Sequence, residues 1–244
     1  MKTTFRHVAL AAVALTSFSG VATLVPAYAQ NVTEDQIRAV LMKNPQIVVD
    51  ALNAAQRSEQ DNRVKQLLAT AKPVSERIIA GDKQVAFIGN QKGKPIVEYF
   101  DYNCHFCKQF GKDTATPLLA KDKNIKILLV HTPILGPGSE RMAEFAAAAQ
   151  IQGKFEKAHE FLIAQNARTL EDADKLQAGL ISAAGLDKAA FEKSLGNGTA
   201  KAIVEHNSKL SQEAGVSGTP MIYVNGKVAP GAIPLGPLEA YIAG

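Results

Sequence analysis

The two cysteines of this chain constrain its fold more than any other feature. They are the only ones among 244 residues and lie three positions apart, in Cys104-His105-Phe106-Cys107. A disulfide over so short a span removes little entropy from the unfolded chain, so it is a poor structural staple. A structural zinc site needs four ligands, and the sequence has no second C-x-x-C or Cys/His cluster. The spacing therefore predicts a reversible dithiol pair, with neither a metal nor another cofactor.

The segments around this pair predict an α/β protein. Short runs rich in β-branched and apolar residues alternate with longer helical patterns, and one run ends directly before the cysteines. The predicted strands are 85–88, 95–100, 125–130 and a hairpin over 221–228 with an Asn225-Gly226 turn, and the predicted helices cover about 139–212 and 237–242. This order of strand, C-x-x-C, helix, strand, helices, hairpin and helix is that of a thioredoxin fold with a helical insertion.

The first 29 residues have the three-part pattern of a secretory signal peptide. Lys2 and Arg6 form a short basic segment, residues 8–25 are uncharged and rich in small side chains, and Ala27-Tyr28-Ala29 fits a cleavage site. A membrane anchor is the alternative, because about 18 apolar residues nearly span a bilayer. The small residues and the cleavage motif favour a signal peptide, which would span residues 1–29, rather than a membrane anchor. A signal peptide in turn predicts export to the periplasm.

The charge of the chain is small. The formal net charge is +4, and two of the positive charges lie in the predicted signal peptide. Binding to nucleic acid usually requires a concentrated basic surface. We therefore expect no nucleic-acid partner.

Residues 30–72 have a helical pattern with a narrow apolar stripe. Thr33 and Gln36 form a capping box, and Asn44-Pro45 supplies a second helix start. A narrow stripe cannot form a core of its own, so it must pack on the main domain or on copies of itself. We favour copies, and predict an N-terminal helical oligomerisation region over 30–72 that is followed by a linker over 73–80.

Three segments resemble the DsbA-like family of thioredoxin-fold proteins. The segment 97–108, VEYFDYNCHFCK, is similar to the active-site strand and helix of that family. The segment 215–220, GVSGTP, is similar to its cis-proline loop, and PILGPGS at 133–139 is similar to a further family segment. The resemblance implies that residues 81–244 form a DsbA-like thioredoxin domain, with the helical insertion at about 139–212.

The leading helical region resembles one sub-group of that family, the ScsC-type and Com1-type periplasmic proteins. The similar segment contains Asn44-Pro45 and Asp50-Ala51-Leu52. Members of this sub-group oligomerise through their N-terminal helices. The resemblance therefore implies a homo-oligomer, and favours a trimer.

Cys104 is predicted to be the attacking thiol and Cys107 the resolving thiol. Cys104 lies where the strand gives way to a helix, and unpaired amides and the helix dipole favour an anion there. Cys107 lies one turn inside the helix and should be shielded. His105 can add positive charge beside the thiolate, or can remain neutral in solvent. DsbA itself has proline before histidine between its cysteines, so its oxidising strength does not transfer to this chain.

Glu98, Thr219 and Pro220 complete the predicted site. Glu98 is a charged residue in an apolar strand, so it either faces outward at an edge or is buried with a raised pKa. The resemblance implies that it lies below the cysteines and shuttles the proton of the second one. An X-Pro bond is usually trans, but the resemblance implies a cis Thr219-Pro220 bond beside the cysteines, where an extended client can pair with the backbone.

Three functions are compatible with these residues. The first is a disulfide isomerase or reductase that acts on misoxidised or unfolded exported proteins and is kept reduced by a DsbD-type membrane electron donor. The second is a DsbA-type dithiol oxidase, which His105 slightly favours. The third is a Cu(I)- or peptide-binding module. The predicted oligomer, and the threonine before the predicted cis-proline, which is similar to family isomerases, favour the first.

Overall fold

The computed structural model describes residues 32–244, so the predicted signal peptide at 1–29 lies outside the described residues. The described residues fall into two units, a first unit that ends at Leu52 and a second unit over Asn53–Gly244. Within the described range, we find no helix with the length and apolar character needed to cross a membrane.

The described part of the first unit is helical and highly exposed. Helix α1 spans Glu34–Lys43 and starts at the predicted capping box of Thr33 and Gln36. Helix α2 spans Gln46–Ile79, so its first residues belong to this unit and the rest to the second. Large apolar side chains are exposed along this part of the chain: Val32, Ile37, Val40, Met42, Ile47, Val48, Val49 and Leu52. Within residues 32–244 these side chains are part of no buried core.

The second unit contains a five-stranded sheet. Its strands are β1 (Ala86–Gly89), β2 (Lys94–Phe100), β3 (Ile125–His131), β4 (Met221–Val224) and β5 (Lys227–Pro230). Their order in the sheet is β1-β3-β2-β4-β5, and only the central β2 and β3 are parallel to each other. The predicted strands and hairpin are confirmed, each to within about two residues.

Helices cover both faces of this sheet. The active-site helix α3 (His105–Phe110) continues through a π-helical turn (Gly111–Ala115) into α4 (Thr116–Lys121). The predicted helical insertion and last helix are confirmed as α5 (Pro137–Ile151), α6 (Phe155–Ile163), α7 (Leu170–Asp174), α8 (Gln177–Ala184), α9 (Lys188–Gly196), α10 (Thr199–Glu213) and α11 (Leu235–Ala243). A mixed sheet that is covered by helices on both faces, with a helical segment before it, is the predicted thioredoxin-like α/β architecture.

Strand β2 places its side chains alternately in two cores, because successive residues of a strand point to opposite faces. Phe100 shares one core with Cys104 and Cys107. Val97 and Tyr99 share the other core with residues of α2 and α10. By this alternation Glu98 lies on the face of Phe100, which is the face that carries the cysteines.

Residues 73–80 are not a linker. Helix α2 continues to Ile79 with Pro73 inside it, although an interior proline costs about 3 kcal/mol in an isolated helix. Ala71, Val74 and Ile78 are fully or almost fully buried in the core on the far face of the sheet. This apolar burial and the 2.9 Å hydrogen bond between the hydroxyls of Ser75 and Tyr99 offset the cost of the proline.

The same packing revises the extent of the predicted oligomerisation region. Val64, Leu67 and Leu68 pack against the core on the far face of the sheet, and the second unit begins at Asn53. The stripe over 30–72 therefore has two parts. Its second part, from Val64 on, packs on the main domain, whereas nearly all of residues 32–63 are exposed.

Candidate active site

Cys104 lies at the junction that the sequence predicts, between the end of β2 and the start of α3. It is the N-cap residue of α3 and has extended backbone angles, φ −71° and ψ 117°. Its side chain is 7% exposed and Cys107 is 1% exposed. Both cysteines are free thiols. Both cysteines are therefore buried, and Cys107 is the more deeply buried of the two.

The pKa of Cys104 is lowered from 9.0 to about 5. The largest cause is a hydrogen bond from the Cys107 thiol, and a hydrogen bond from the Thr219 side chain and the amides of Cys107 and Phe106 act in the same direction, against the opposing effect of burial. These amides belong to the first turn of α3, where N–H groups lack a helical partner and favour an anion. Cys104 is therefore a thiolate at neutral pH.

Cys107 has the opposite character. Burial raises its pKa most, followed by its hydrogen bond to Cys104 and the negative charge of Glu98. A thiol that donates a hydrogen bond to a neighbouring thiolate is stabilised in its protonated form. The two cysteines therefore share one proton, which is held on Cys107.

Glu98 is a buried carboxyl on the same side of the sheet as the cysteines. It is 5% exposed and lies in register between Leu129 of β3 and Ile222 of β4. Burial, and to a smaller extent the charge of Cys104, raise its pKa from 4.5 to about 8. The edge alternative for Glu98 is therefore wrong, because β2 is a central strand.

The loop before β4 brings Thr219 and Pro220 to the cysteines. The Thr219-Pro220 peptide bond is cis, and the Cys104 sulfur lies 3.1 Å from the Thr219 carbonyl oxygen. Only the thiol can donate a hydrogen bond to this carbonyl, so the contact belongs to the protonated form, whereas the Thr219 side chain stabilises the thiolate. A cavity of about 200 Å³ adjoins the loop.

His105 and Phe106, the residues between the cysteines, are exposed. Their rings contact each other edge to face at a centroid distance of 5.6 Å. Water screens the charge of an exposed side chain. The structure therefore favours the neighbouring thiol, hydroxyl and amides over His105 as the main stabilisers of the Cys104 thiolate.

A buried hydrogen-bond network that the sequence analysis missed fixes the start of α3. Asp101 is 2% exposed and accepts hydrogen bonds from the Asn103 amide at 2.8 Å, the Ser139 hydroxyl at 2.7 Å and the Leu135 amide at 3.0 Å. The Asn103 side chain also pairs with both backbone groups of Ala167. The network joins the active-site turn to the helical insertion. The DYN sequence directly before Cys104 is the signal that could have revealed it.

Two histidines, His131 and His159, lie in a buried aromatic cluster. Phe100 lies at its centre, with ring centroids 5.0 Å from Tyr102, 5.2 Å from His131 and 5.5 Å from His159. The Tyr102 hydroxyl and His159 Nδ1 are 3.2 Å apart. Burial lowers the pKa of His131 to about 3 and that of His159 to about 4. Both rings are therefore neutral at physiological pH.

Among residues 32–244, no three or more His, Cys, Asp or Glu side chains are grouped so that they could hold a metal ion. The remaining histidine of the insertion, His206, instead lies 2.7 Å from the carboxylate of Asp82.

The DSBA-like thioredoxin domain model matches residues 95–243, which is more than half of the chain. The chain belongs to the DSBA-like thioredoxin domain family. The matched range begins in β2 and ends in α11, and it contains both cysteines, Glu98 and the cis-proline loop. The similarity to the family is thus not confined to the two active-site segments, because it covers most of the second unit of this DsbA-like chain.

Two named relatives show how far the similarity extends. The Na(+)/H(+) antiporter NhaA 1 of Salinispora arenicola is 27% identical over 184 residues, which are 74% of this chain and 28% of that protein. The thiol:disulfide interchange protein DsbA of Yersinia pestis is 25% identical over 141 residues, which are 55% of this chain and 68% of that protein. The chain thus spans little more than a quarter of the first relative and about two thirds of the second.

A solved structure of ScsC from Proteus mirabilis, a linker-deletion variant, has a similar fold. The TM-score is 0.60, the sequence identity is 18%, and the match covers 89% of this chain and 97% of that chain. At this identity the likeness concerns the fold. It reaches beyond the family domain, because 89% of the chain is more than residues 95–243.

Proposed function

We propose that this protein exchanges thiols and disulfides with exported proteins through Cys104 and Cys107. The observation that carries the proposal is the asymmetry of the pair, because Cys104 is a stabilised thiolate near the surface and Cys107 is a shielded thiol. Exchange needs a thiolate that attacks a disulfide sulfur and a second thiol that releases the mixed disulfide. The named relative DsbA of Yersinia pestis is a thiol:disulfide interchange protein, which supports the same chemistry.

In the first step the Cys104 thiolate attacks one sulfur of a client disulfide. A new disulfide joins Cys104 to the client, the client disulfide breaks, and the other client sulfur leaves as a thiolate that takes a proton from solvent. In the second step Cys107 attacks the Cys104 sulfur, and the client leaves as a second thiolate. The client disulfide is reduced by two electrons and the Cys104–Cys107 pair is oxidised by two.

Glu98 is suited to accept the proton that Cys107 loses. The negative charge of Cys104 contributes to the raised pKa of Glu98, and this charge disappears when Cys104 enters a mixed disulfide. Glu98 then ionises more easily, at the moment when Cys107 must lose its proton. A carboxylate whose pKa lies near the working pH is an effective base. His105 lies in solvent and has at most a tuning role.

Clients would bind beside Cys104 through their backbone and apolar side chains. The cis Thr219-Pro220 bond leaves the Thr219 carbonyl at the Cys104 sulfur, where an extended client chain can pair with it. Phe106 is 58% exposed and Leu135 is 50% exposed. Apolar surface of this kind fits unfolded or misoxidised proteins better than compact folded ones.

Export to the periplasm is part of the proposal. It rests on the signal-like pattern of residues 1–29 and on the Cys104–Cys107 pair. A dithiol pair that exchanges with protein disulfides needs disulfide-bonded clients, and these form in oxidising compartments. The proteins that this chain would act on are therefore exported proteins, and a membrane protein of the DsbD type would return electrons to Cys104 and Cys107.

Isomerase or reductase activity is favoured by the exposed apolar residues of the first unit. Burial of apolar surface favours association, and exposed positions such as Ile37 and Val40 on α1 and Leu52 on α2 can be buried against the same helices of other copies. We propose a homo-oligomer, with a trimer favoured by the earlier resemblance. Several dithiol sites on one oligomer could attack one misoxidised client repeatedly.

The low pKa of Cys104 favours the alternative, a dithiol oxidase. A stable thiolate stabilises the reduced pair, so that the disulfide form becomes a stronger oxidant. The two functions require opposite resting states of the cysteines. Alkylation of the protein in acid-quenched cells measures this state directly: a mostly reduced pair supports the isomerase or reductase, and a mostly oxidised pair contradicts it and supports the oxidase. A Cys104→Ser/Cys107→Ser variant has no thiol that can be alkylated, so it gives the reference for unlabelled protein.

A further inference from the structure

We infer that helix α2, which precedes the family domain, forms one wall of the client-binding groove, and that Leu67 on this helix selects clients with an apolar side chain next to the reacting cysteine. The inference rests on the proposed exchange function and adds a determinant of client choice to it. Leu67 lies outside the residues that the family model matches, 95–243. The family domain therefore does not supply this wall.

The wall faces a cavity beside the cis-proline loop. This cavity has a volume of about 200 Å³ and is lined by Leu67 together with Thr219, Pro220 and their neighbours. Val216, Met221 and Pro230 add apolar surface to it, and among the described residues that line it none is charged. An uncharged, largely apolar cavity of this volume fits one aliphatic side chain.

The position of the cavity links it to the reacting sulfur. Thr219 belongs to its lining, and the carbonyl oxygen of Thr219 lies 3.1 Å from the Cys104 sulfur. Successive residues of an extended chain are about 3.3 Å apart along the strand. A client that is joined to Cys104 and extended along Thr219 can therefore place a side chain next to its own cysteine in the cavity.

Helix α2 is fixed to the loop, so the wall is present before a client binds. The Thr70 hydroxyl donates to the Ala214 carbonyl oxygen at 2.9 Å. Gly215 has φ +75°, and a Cβ at this position would lie 2.8 Å from Thr70 Oγ1 and 4.0 Å from Leu67 Cδ1. The backbone of the loop thus approaches the helix at a point where a side chain could not fit. Preformed sites lose less entropy when a ligand binds.

The test uses two peptides that each carry one cysteine in a mixed disulfide with 5-thio-2-nitrobenzoate and that differ only in the next residue, leucine or serine. The full-length reduced protein attacks the peptide sulfur, and release of the nitrobenzoate thiolate is followed by its absorbance. We expect the leucine peptide to react about tenfold faster, since seating or losing an aliphatic side chain in an apolar pocket changes rates by at least this factor.

Substitution of Leu67 should remove this preference. Leu67→Ala removes the wall and Leu67→Phe fills the cavity, and both should bring the rate with the leucine peptide to within about twofold of the rate with the serine peptide. Gln66→Ala, at the exposed neighbouring position, should keep the tenfold preference. Thermal unfolding of each variant confirms that it is folded.

A small aromatic disulfide without a peptide separates this inference from the exchange function. It should react at the wild-type rate in all three variants. If it does, while wild type shows no preference or the Leu67 variants keep it, the assigned role of Leu67 is wrong and the exchange chemistry stands. If wild type does not react with the small disulfide at all, the exchange function itself has failed.

Discussion

The sulfur of Cys104 lies 3.1 Å from the carbonyl oxygen of Thr219, a residue 115 positions further along the chain. This contact brings the end of the active-site strand and the cis-proline loop to one point. The thiol, its stabilising partners and the backbone that could hold a client therefore meet within one hydrogen-bond distance of each other.

The thiolate of Cys104 should form at unusually low pH. We expect the thiolate absorbance of reduced protein to rise with a midpoint near pH 5, because hydrogen bonds from Cys107 and Thr219 stabilise the anion. Thr219→Val, which removes one hydroxyl, should raise the midpoint by about one pH unit. His105→Ala should raise it by less, because that side chain is exposed. A larger effect of His105→Ala than of Thr219→Val would reverse their assigned importance.

Glu98→Gln should stabilise the fold at alkaline pH. The pKa of Glu98 is raised from 4.5 to about 8 by burial, so between these values the folded state holds a proton that the unfolded state has lost. Wild-type stability therefore falls as pH rises from about 4.5 to 8. The variant should unfold with a free energy roughly 2 to 4 kcal/mol higher than wild type at pH 8.5, and about equal at pH 4. Denaturant melts at the two pH values measure the difference.

The same variant should react more slowly in the second step of exchange. If Glu98 accepts the proton of Cys107, Glu98→Gln should slow release of the client from Cys104 by about 10²-fold or more, with the first attack nearly unchanged. Rapid-mixing kinetics with acid quench separates the two steps. An equal slowing of both steps, or a slower first step alone, would contradict a specific role of Glu98 in proton transfer from Cys107.

His131 should make the protein sensitive to acid. Burial lowers its pKa from 6.5 to about 3, and neither ring nitrogen has a hydrogen-bond partner among residues 32–244. The unfolded chain therefore gains a proton below about pH 6.5 that the folded chain cannot hold, and stability is lost as pH falls from there towards 3. His131→Phe should weaken this loss and raise the unfolding free energy at pH 5 by about 1 to 2 kcal/mol.

The exposed stripe of the first unit should hold copies of the chain together. Ile37→Asp combined with Val40→Asp places charges on exposed apolar positions of α1 and should shift the mass in solution from the oligomer to the monomer, as measured by light scattering. Ala39→Asp, on the opposite side of the same helix, should leave the mass unchanged. A wild-type protein that is already monomeric at micromolar concentration would remove the structural support for isomerase over oxidase.

Much of the fold could be predicted from local patterns. The strands before Cys104 and at 125–131 have β-branched apolar runs, and the Asn225-Gly226 turn identifies the hairpin, because these signals lie within a few residues of each other. The end of α2 could not be predicted in this way. Pro73 locally favours a helix end, and only burial of Ala71, Val74 and Ile78 against a sheet formed later in the chain offsets that preference.

The candidate site likewise has one part that local sequence predicts and another part that depends on tertiary packing. The spacing of Cys104 and Cys107 fixes their chemistry, whereas the aromatic cluster needs His131 and His159 to approach Phe100 through tertiary packing. Leu67 is another such case, because it appears in the sequence as one residue of a helical stripe. Only the fold brings it to the cavity at Thr219.

Trapping of mixed disulfides tests the central claim most directly. Purified Cys104→Ser and Cys107→Ser variants are mixed with an unfolded, oxidised client protein, quenched in acid and separated without reductant. If Cys104 attacks and Cys107 resolves, Cys107→Ser accumulates a covalent complex with the client that reductant dissolves, and Cys104→Ser forms none. A complex with Cys104→Ser but not with Cys107→Ser would contradict the account.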